Sequence, residues 1–171
     1  YPVVSGNVSF YNGTNKKNIN PTPVIGGVGL INKLSKPISH NFKKDKNIII
    51  LVGKTFGHLE QSCFLRENYR IFDGIPPDIN LLNEKNNGEN VLKLIQNKLI
   101  LSSHDISDGG LILALCEMSI SSSYGAIIKK PQKLTNLFKY FFGEDQGRYL
   151  LEVEPSNLTK VEKSLKDSNI Y

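Results

Sequence analysis

The stretch Ser5-Gly6-Asn7-Val8-Ser9 gathers three kinds of group that a metal-dependent reaction on an anionic substrate uses. Glycine lets a backbone approach a phosphate, an amide carbonyl is a hard oxygen donor suited to Mg²⁺, and a serine hydroxyl both donates and accepts. In an extended strand Asn7 and Ser9 share one face, with Gly6 and Val8 on the other, so one wall can hold metal and substrate together. The same residues also read as a strand end with turn residues. Spacing alone leaves both readings open.

Four further stretches offer chemistry with a plainer reading beside it. Gly26-Gly27-Val28-Gly29 invites comparison with a dinucleotide fingerprint, but Asn32 stands at the third glycine and no helix pattern follows, so close strand packing is the better reading. His104-Asp105-Ile106-Ser107-Asp108-Gly109-Gly110 falls between a strand and a helix, where free N–H groups can receive an anion and His104 with Asp105 can form a base and its orienting partner. A tight structural turn is the better reading of the segment alone. Gly143-Glu144-Asp145-Gln146-Gly147-Arg148 pairs two carboxylates as acid/base chemistry would, or forms a solvated loop with an Arg–Glu pair. Gly57-His58-Leu59-Glu60-Gln61-Ser62-Cys63 raises a Cys/His couple, yet Cys63 stands one helical turn from Leu59 and is expected to face the core.

Composition narrows the classes. The 171 residues carry a formal net charge of +5, from 18 Lys but only 3 Arg, scattered along the chain. Phosphate forks and base readout favour Arg, so no nucleic-acid partner is expected; 18 Lys, 18 Asn and 18 Ile are what A+T-rich codons supply. No run approaches the apolar length of a membrane helix, and Cys63 and Cys116 lack any CxxC or zinc spacing, so two reduced thiols in a soluble cytoplasmic protein are expected. Three Asn-x-Ser/Thr sequons, beginning at Asn7, Asn12 and Asn157, are read as chance in an Asn-rich chain. The first residue is not Met and no secretory leader precedes the pattern, so the chain is expected to start inside a longer protein.

The elements that would position these groups follow from periodicity. Residues 2–11 and 23–31 read as two β segments around a polar loop, which need a sheet from elsewhere, and residues 32–47 as a lysine-rich linker. From residue 48 strand and helix alternate. The run from Ile48 to Val52 is expected to be a central strand buried on both faces, with strands again at 99–103, 124–128 and 148–153. Helices are expected over 59–66, 78–97, 134–141 and from Pro155 onward, and another capped by Ser107 or Asp108 with Leu111, Leu115 and Met118 inward. The 78–97 helix shows a mixed stripe of Leu81, Glu84, Gly88, Val91 and Ile95.

The order PVVSGNVSFYN, PTPVIGGVGLI, GHLEQS, SHDISDGGL, FGEDQGRYLL, spread over residues 2–165, resembles the carboxy-terminal part of the phosphoribosylformylglycinamidine synthase family, synthetase subunit, within the aminoimidazole ribonucleotide synthetase-like superfamily. That resemblance implies an α/β (α+β) chain: residues 1–33 as the last strands of a second ATP-binding domain, and 34–171 as a three-layer α/β/α domain with a mixed sheet, shortened at its end. It implies a fragment of an ATP-dependent ligase of purine biosynthesis, which converts formylglycinamide ribonucleotide, glutamine-derived ammonia and ATP to the amidine, ADP and phosphate. Gly6 would touch ATP, Asn7 would ligate magnesium and Ser9 would contact substrate, with no catalytic residue in this fragment. The implied partners are a glutaminase subunit, a small accessory subunit and the missing amino-terminal half of the same chain. Family catalytic histidines and most metal carboxylates belong to that half. The GEDQGR loop would lie at a degenerate pseudo-symmetric site, and Glu60 departs from the glycine of the usual GHLGQS form. A noncatalytic docking module is the alternative of different class.

Overall fold

The computed structural model describes residues 2–6, 11–19, 22–31, 37–129, 131 and 136–167. The chain divides into two units, Tyr1–Lys36 and Pro37–Tyr171.

In the first unit, β1 (Gly13–Thr14) and β2 (Lys17–Asn18) form a small antiparallel hairpin with Gly13 opposite Asn18. Asn15 and Lys16 turn the chain with φ of 49° and 62°, the left-handed pair that suits the twist of a two-residue hairpin loop. The hairpin thus lies in the segment expected to be loop. The expected strands do not form over residues 2–6 and 22–31, because no described neighbour offers a ladder to their N–H and C=O groups. Val3, Val4, Val24, Ile25 and Val28 are exposed.

The second unit has three strands, β3 (Ile48–Val52), β4 (Ser102–Asp105) and β5 (Tyr149–Val153), in the order β3-β5-β4. The helices are α1 (Cys63–Tyr69), α2 (Leu81–Gln96), α3 (Gly110–Ile120), α4 (Leu137–Phe142) and α5 (Leu158–Asp167), the last entered through a 3₁₀ turn at Pro155–Asn157. Both outer strands pair antiparallel with β5, Ile50 and Ser103 each facing Leu151. The period of two then sorts the side chains. Ile50, Val52, Leu151 and Val153 pack with Val91 and Leu94 of α2 and Val161 and Leu165 of α5. Ile49, Leu51 and Leu150 pack with Leu111, Leu115 and Met118 of α3, Phe42, and Tyr140 and Phe141 of α4. The three-layer α+β class therefore holds.

Several element expectations are corrected. Among the described residues the sheet is antiparallel rather than mixed, and the central strand is β5, not β3. An apolar run of five cannot by itself tell an edge from a centre when both faces are covered. Residues 124–128 form no strand, and α2 starts at Leu81 with Asn80 accepting the Asn83 N–H at 3.0 Å. The buried side of α2 is Asn87, Asn90, Val91 and Leu94, one step round from the expected stripe. Neither Ser107 nor Asp108 caps α3; Gly109 does so in the left-handed region, without a side-chain bond.

A buried carboxylate sits within the second layer. Glu152, fully buried, accepts from the Lys43 N–H at 2.9 Å, the Lys44 N–H at 3.1 Å, the Asn47 amide at 2.7 Å and the Ser102 hydroxyl at 2.8 Å. A buried carboxylate must find donors, and these tie the chain before β3 to the sheet.

Candidate functional site

Of the residues expected to bind ligands, Gly6 is exposed, with open space around its α-carbon. Asn7 and Ser9 lie outside the described residues. The geometry that can be built from side chains is at one end of the sheet in the second unit, where β3 and β5 meet the loops that flank them.

Asp145 organises this end. Its carboxylate accepts the N–H groups of Phe56, Gly57 and His58 at 2.9, 2.8 and 3.1 Å, and the residue is 4% exposed. Three converging amides after β3 make an anion nest, and the protein fills it with its own carboxylate. Gly57 has φ of +77°, and a Cβ there would come within 2.6 Å of the Lys139 Cβ, so the nest needs glycine. Below it Arg148, 1% exposed, donates from Nε to the Asp145 carbonyl at 3.1 Å, from one Nη to the Gly143 carbonyl and from the other to the Thr55 hydroxyl at 3.3 Å. Burial pulls its basicity down, and the Asp145 charge opposes that. The loop is a buried clamp rather than a solvated turn, and Arg148 pairs with Asp145 rather than Glu144.

Glu144 closes a second junction. One carboxylate oxygen accepts both the Cys63 N–H at 2.8 Å, at the start of α1, and the Gly109 N–H at 2.7 Å, just before α3. The anion receptor expected in the SDGG turn is thus occupied from within, while the Gly110 N–H goes to the Ser107 carbonyl. Cys63 does not couple to His58. Its sulfur accepts from Arg66 at 2.9 Å, whereas His58 donates from Nε2 to the Ile75 carbonyl at 2.8 Å. Burial, then the Asp108 and Glu144 charges, push the Cys63 thiol up, so it stays protonated at neutral pH. Donor atoms of Cys63, Asp108 and Glu144 lie within 4.8 Å of one another. One Glu144 oxygen is already shared by two backbone amides and Asp108 is exposed, so this grouping does not by itself define a metal site.

His104 and Asp105 do meet, at 3.3 Å, but the stronger contact of His104 is Nε2 to Glu117 at 2.8 Å. Asp105 in turn accepts from the Ser107 hydroxyl at 2.6 Å, which holds its carboxyl below the ordinary value. The Glu60 departure has a local role: its carboxylate accepts the Ile75 N–H at 2.7 Å, beside Gln61 donating to the Gly74 carbonyl at 2.9 Å.

Over this clamp opens a cavity of about 350 Å³, whose wall includes Lys54, Phe56, Asp78, Asn83, Glu84 and Gln146. Sequence reasoning missed it, since its walls come from the end of β3, the entry to α2 and the loop before β5.

Three layers around an antiparallel sheet, with the loops at one end cross-tied by Asp145 and Glu144, define an α+β domain of the α/β/α class. The fold is shared by Thermotoga maritima PurL complexed with FGAR, with a TM-score of 0.62 and 16% identity over 78% of this chain and 24% of that one. The same protein complexed with ATP gives 0.59 and 14%, over 78% and 22%. The chain belongs to the family described as AIR synthase related protein, C-terminal domain, which matches residues 46–171. It is 50% identical over its whole length to the phosphoribosylformylglycinamidine synthase subunit PurL of Pelagibacter ubique, and 45% identical over 170 residues to that of Bartonella bacilliformis. In both cases the chain spans about 23% of the relative's length.

Proposed function

We propose that this chain is part of the synthetase subunit of a phosphoribosylformylglycinamidine synthase, and that residues 1–33 contribute to an ATP site. The observation that carries the reading is identity of 50% across all 171 residues to a subunit of that name. The reaction would join ammonia, released from glutamine by a glutaminase partner, to the amide of formylglycinamide ribonucleotide with ATP split to ADP and phosphate. An accessory subunit and the rest of the polypeptide would complete the assembly, in the cytoplasm.

Within that reading Gly6 lets the backbone approach ATP, the Asn7 carbonyl supplies a hard oxygen to Mg²⁺, and the Ser9 hydroxyl bonds substrate. The donor set fits such a cation: a neutral amide oxygen adds a ligand without adding charge to an anionic nucleotide. Mg²⁺ when bound neutralises the phosphates and positions them. The open space around Gly6 is compatible with that approach. The test is Asn7→Ala in the complete enzyme. We expect turnover to fall about 10-fold or more and the Mg²⁺ requirement to rise, as loss of a charge-assisted contact of ~1.5–3 kcal/mol would give. Near-normal turnover at saturating Mg²⁺ would leave the docking-module reading in its place. That alternative draws on the second unit, where Glu144, Asp145 and Arg148 are engaged in holding loops.

A further inference from the structure

The cavity of about 350 Å³ is lined by residues of the second unit, and none of the roles above uses it. Its backbone is fixed from three directions. Asp145 holds the 56–58 loop through three amides, and Asn87 of α2, itself buried, donates to the Gly147 carbonyl at 2.7 Å. His58 is tied to Ile75. Such a pocket pays little ordering entropy when a ligand enters.

The side chains facing it are unlike the clamp beneath. Among the described residues Lys54, Asp78, Asn83, Glu84 and Gln146 make no side-chain hydrogen bond or ion pair, although Glu84 is half buried against Gly147. Phe56 lends a ring that is 79% exposed. The formal charge of these walls is one cation against two carboxylates, since Asp145 is already satisfied by its amides and Arg148. A phosphate ester, a dianion near neutral pH, would satisfy Lys54 but confront Asp78 and Glu84 with like charge. A ligand that carries its own ammonium group satisfies a carboxylate by a charge-assisted bond, and a carboxylate on the same molecule satisfies Lys54. Asn83 and Gln146 can each donate and accept to a polar side chain, and Phe56 can cover its methylenes. At 350 Å³ the space is at the small end of ligand pockets.

We propose that this cavity binds a zwitterionic L-α-amino acid with a short polar side chain, its ammonium group on the Glu84 and Asp78 side and its carboxylate on Lys54. None of the residues named for ATP, Mg²⁺ or substrate lines the cavity, so its failure would not touch the ATP reading. Isothermal titration calorimetry on the complete synthetase polypeptide, without a glutaminase partner, tests it with L-asparagine, L-glutamine and ribose 5-phosphate as probes. We expect one or both amino acids to bind and the sugar phosphate not to. Glu84→Gln and Lys54→Met should each weaken that binding about 10-fold, the loss of one charge-assisted bond. Gln146→Ala, at the exposed rim, serves as the further variant should Glu84→Gln fail to fold, and is expected to weaken binding as well. No amino acid binding, binding of ribose 5-phosphate in its place, or wild-type amino acid affinity in the folded variants would each overturn the proposal.

Discussion

Asp145 and Glu144 are neighbours in sequence yet direct their charges to different parts of the chain, one to the loop after β3 and the other to the starts of α1 and α3. Asp145→Asn keeps the volume but turns an amide NH₂ toward amides that need an acceptor. It should cost about 3 kcal/mol in denaturant unfolding followed by circular dichroism, as charged acceptors in buried sites do. The two thiols give a second check. Cys116 is exposed and Cys63 is held protonated, so iodoacetamide at pH 7.5 should label Cys116 first by mass spectrometry, with Cys63 reacting appreciably only in alkaline solution. Asp105 gives a third. The Ser107 hydroxyl favours its charged form, so its carboxyl titrates below the ordinary 3.8. A depressed carboxyl adds stability above its ordinary pKa and loses it as pH falls through the lowered value. Ser107→Ala should therefore move the Asp105 titration up toward 3.8, read by carboxyl carbon NMR, and remove that increment from neutral solution.

At the scale of elements, glycine separates positions that tolerate a methyl group from those that do not. Gly88 lies inside α2, where a Cβ would meet the Tyr149 hydroxyl at an ordinary 3.6 Å. Gly88→Ala should stabilise the fold by about 0.5–1 kcal/mol through the lower entropy of the unfolded chain, measured by the same denaturant titration. At Gly110, by contrast, φ is +68° and the Gly143 carbonyl would lie 2.6 Å from a Cβ, so alanine there is excluded. Periodicity alone disclosed α3 and α5, because Leu111, Leu115, Met118, Val161 and Leu165 all face the core. It misplaced the buried side of α2, since Asn87 and Asn90 are there for their hydrogen bonds and not for apolar area. Strand order was beyond it as well. Which of the three strands is central depends on pairing between segments far apart in sequence, Ile48 with Val153 and Ser102 with Glu152, which local pattern does not carry. The cavity escaped notice for the same reason: Lys54, Glu84 and Gln146 are far apart in sequence and meet only through the fold.

At the scale of the whole molecule the two units differ in what they can bury. The second has an apolar layer on each face of its sheet. In the first, the described apolar residues Val3, Val4, Val24, Ile25, Val28, Leu30 and Ile31 are exposed, and among the described residues only the 13–18 hairpin has a ladder. Burial of apolar area is the main favourable term of folding, and a hairpin alone is at best marginal in water. The chain spans about 23% of its PurL relatives, so a longer polypeptide has the material to cover these residues. Amide hydrogen exchange separates the possibilities. In the isolated chain residues 2–6 and 22–31 should exchange within seconds while β5 and α3 remain protected, and in the complete polypeptide the same residues should gain strong protection. Rapid exchange of 2–6 and 22–31 in the complete polypeptide as well would mean that no sheet receives them. The Gly6 backbone would then lack the fixed position an ATP site requires.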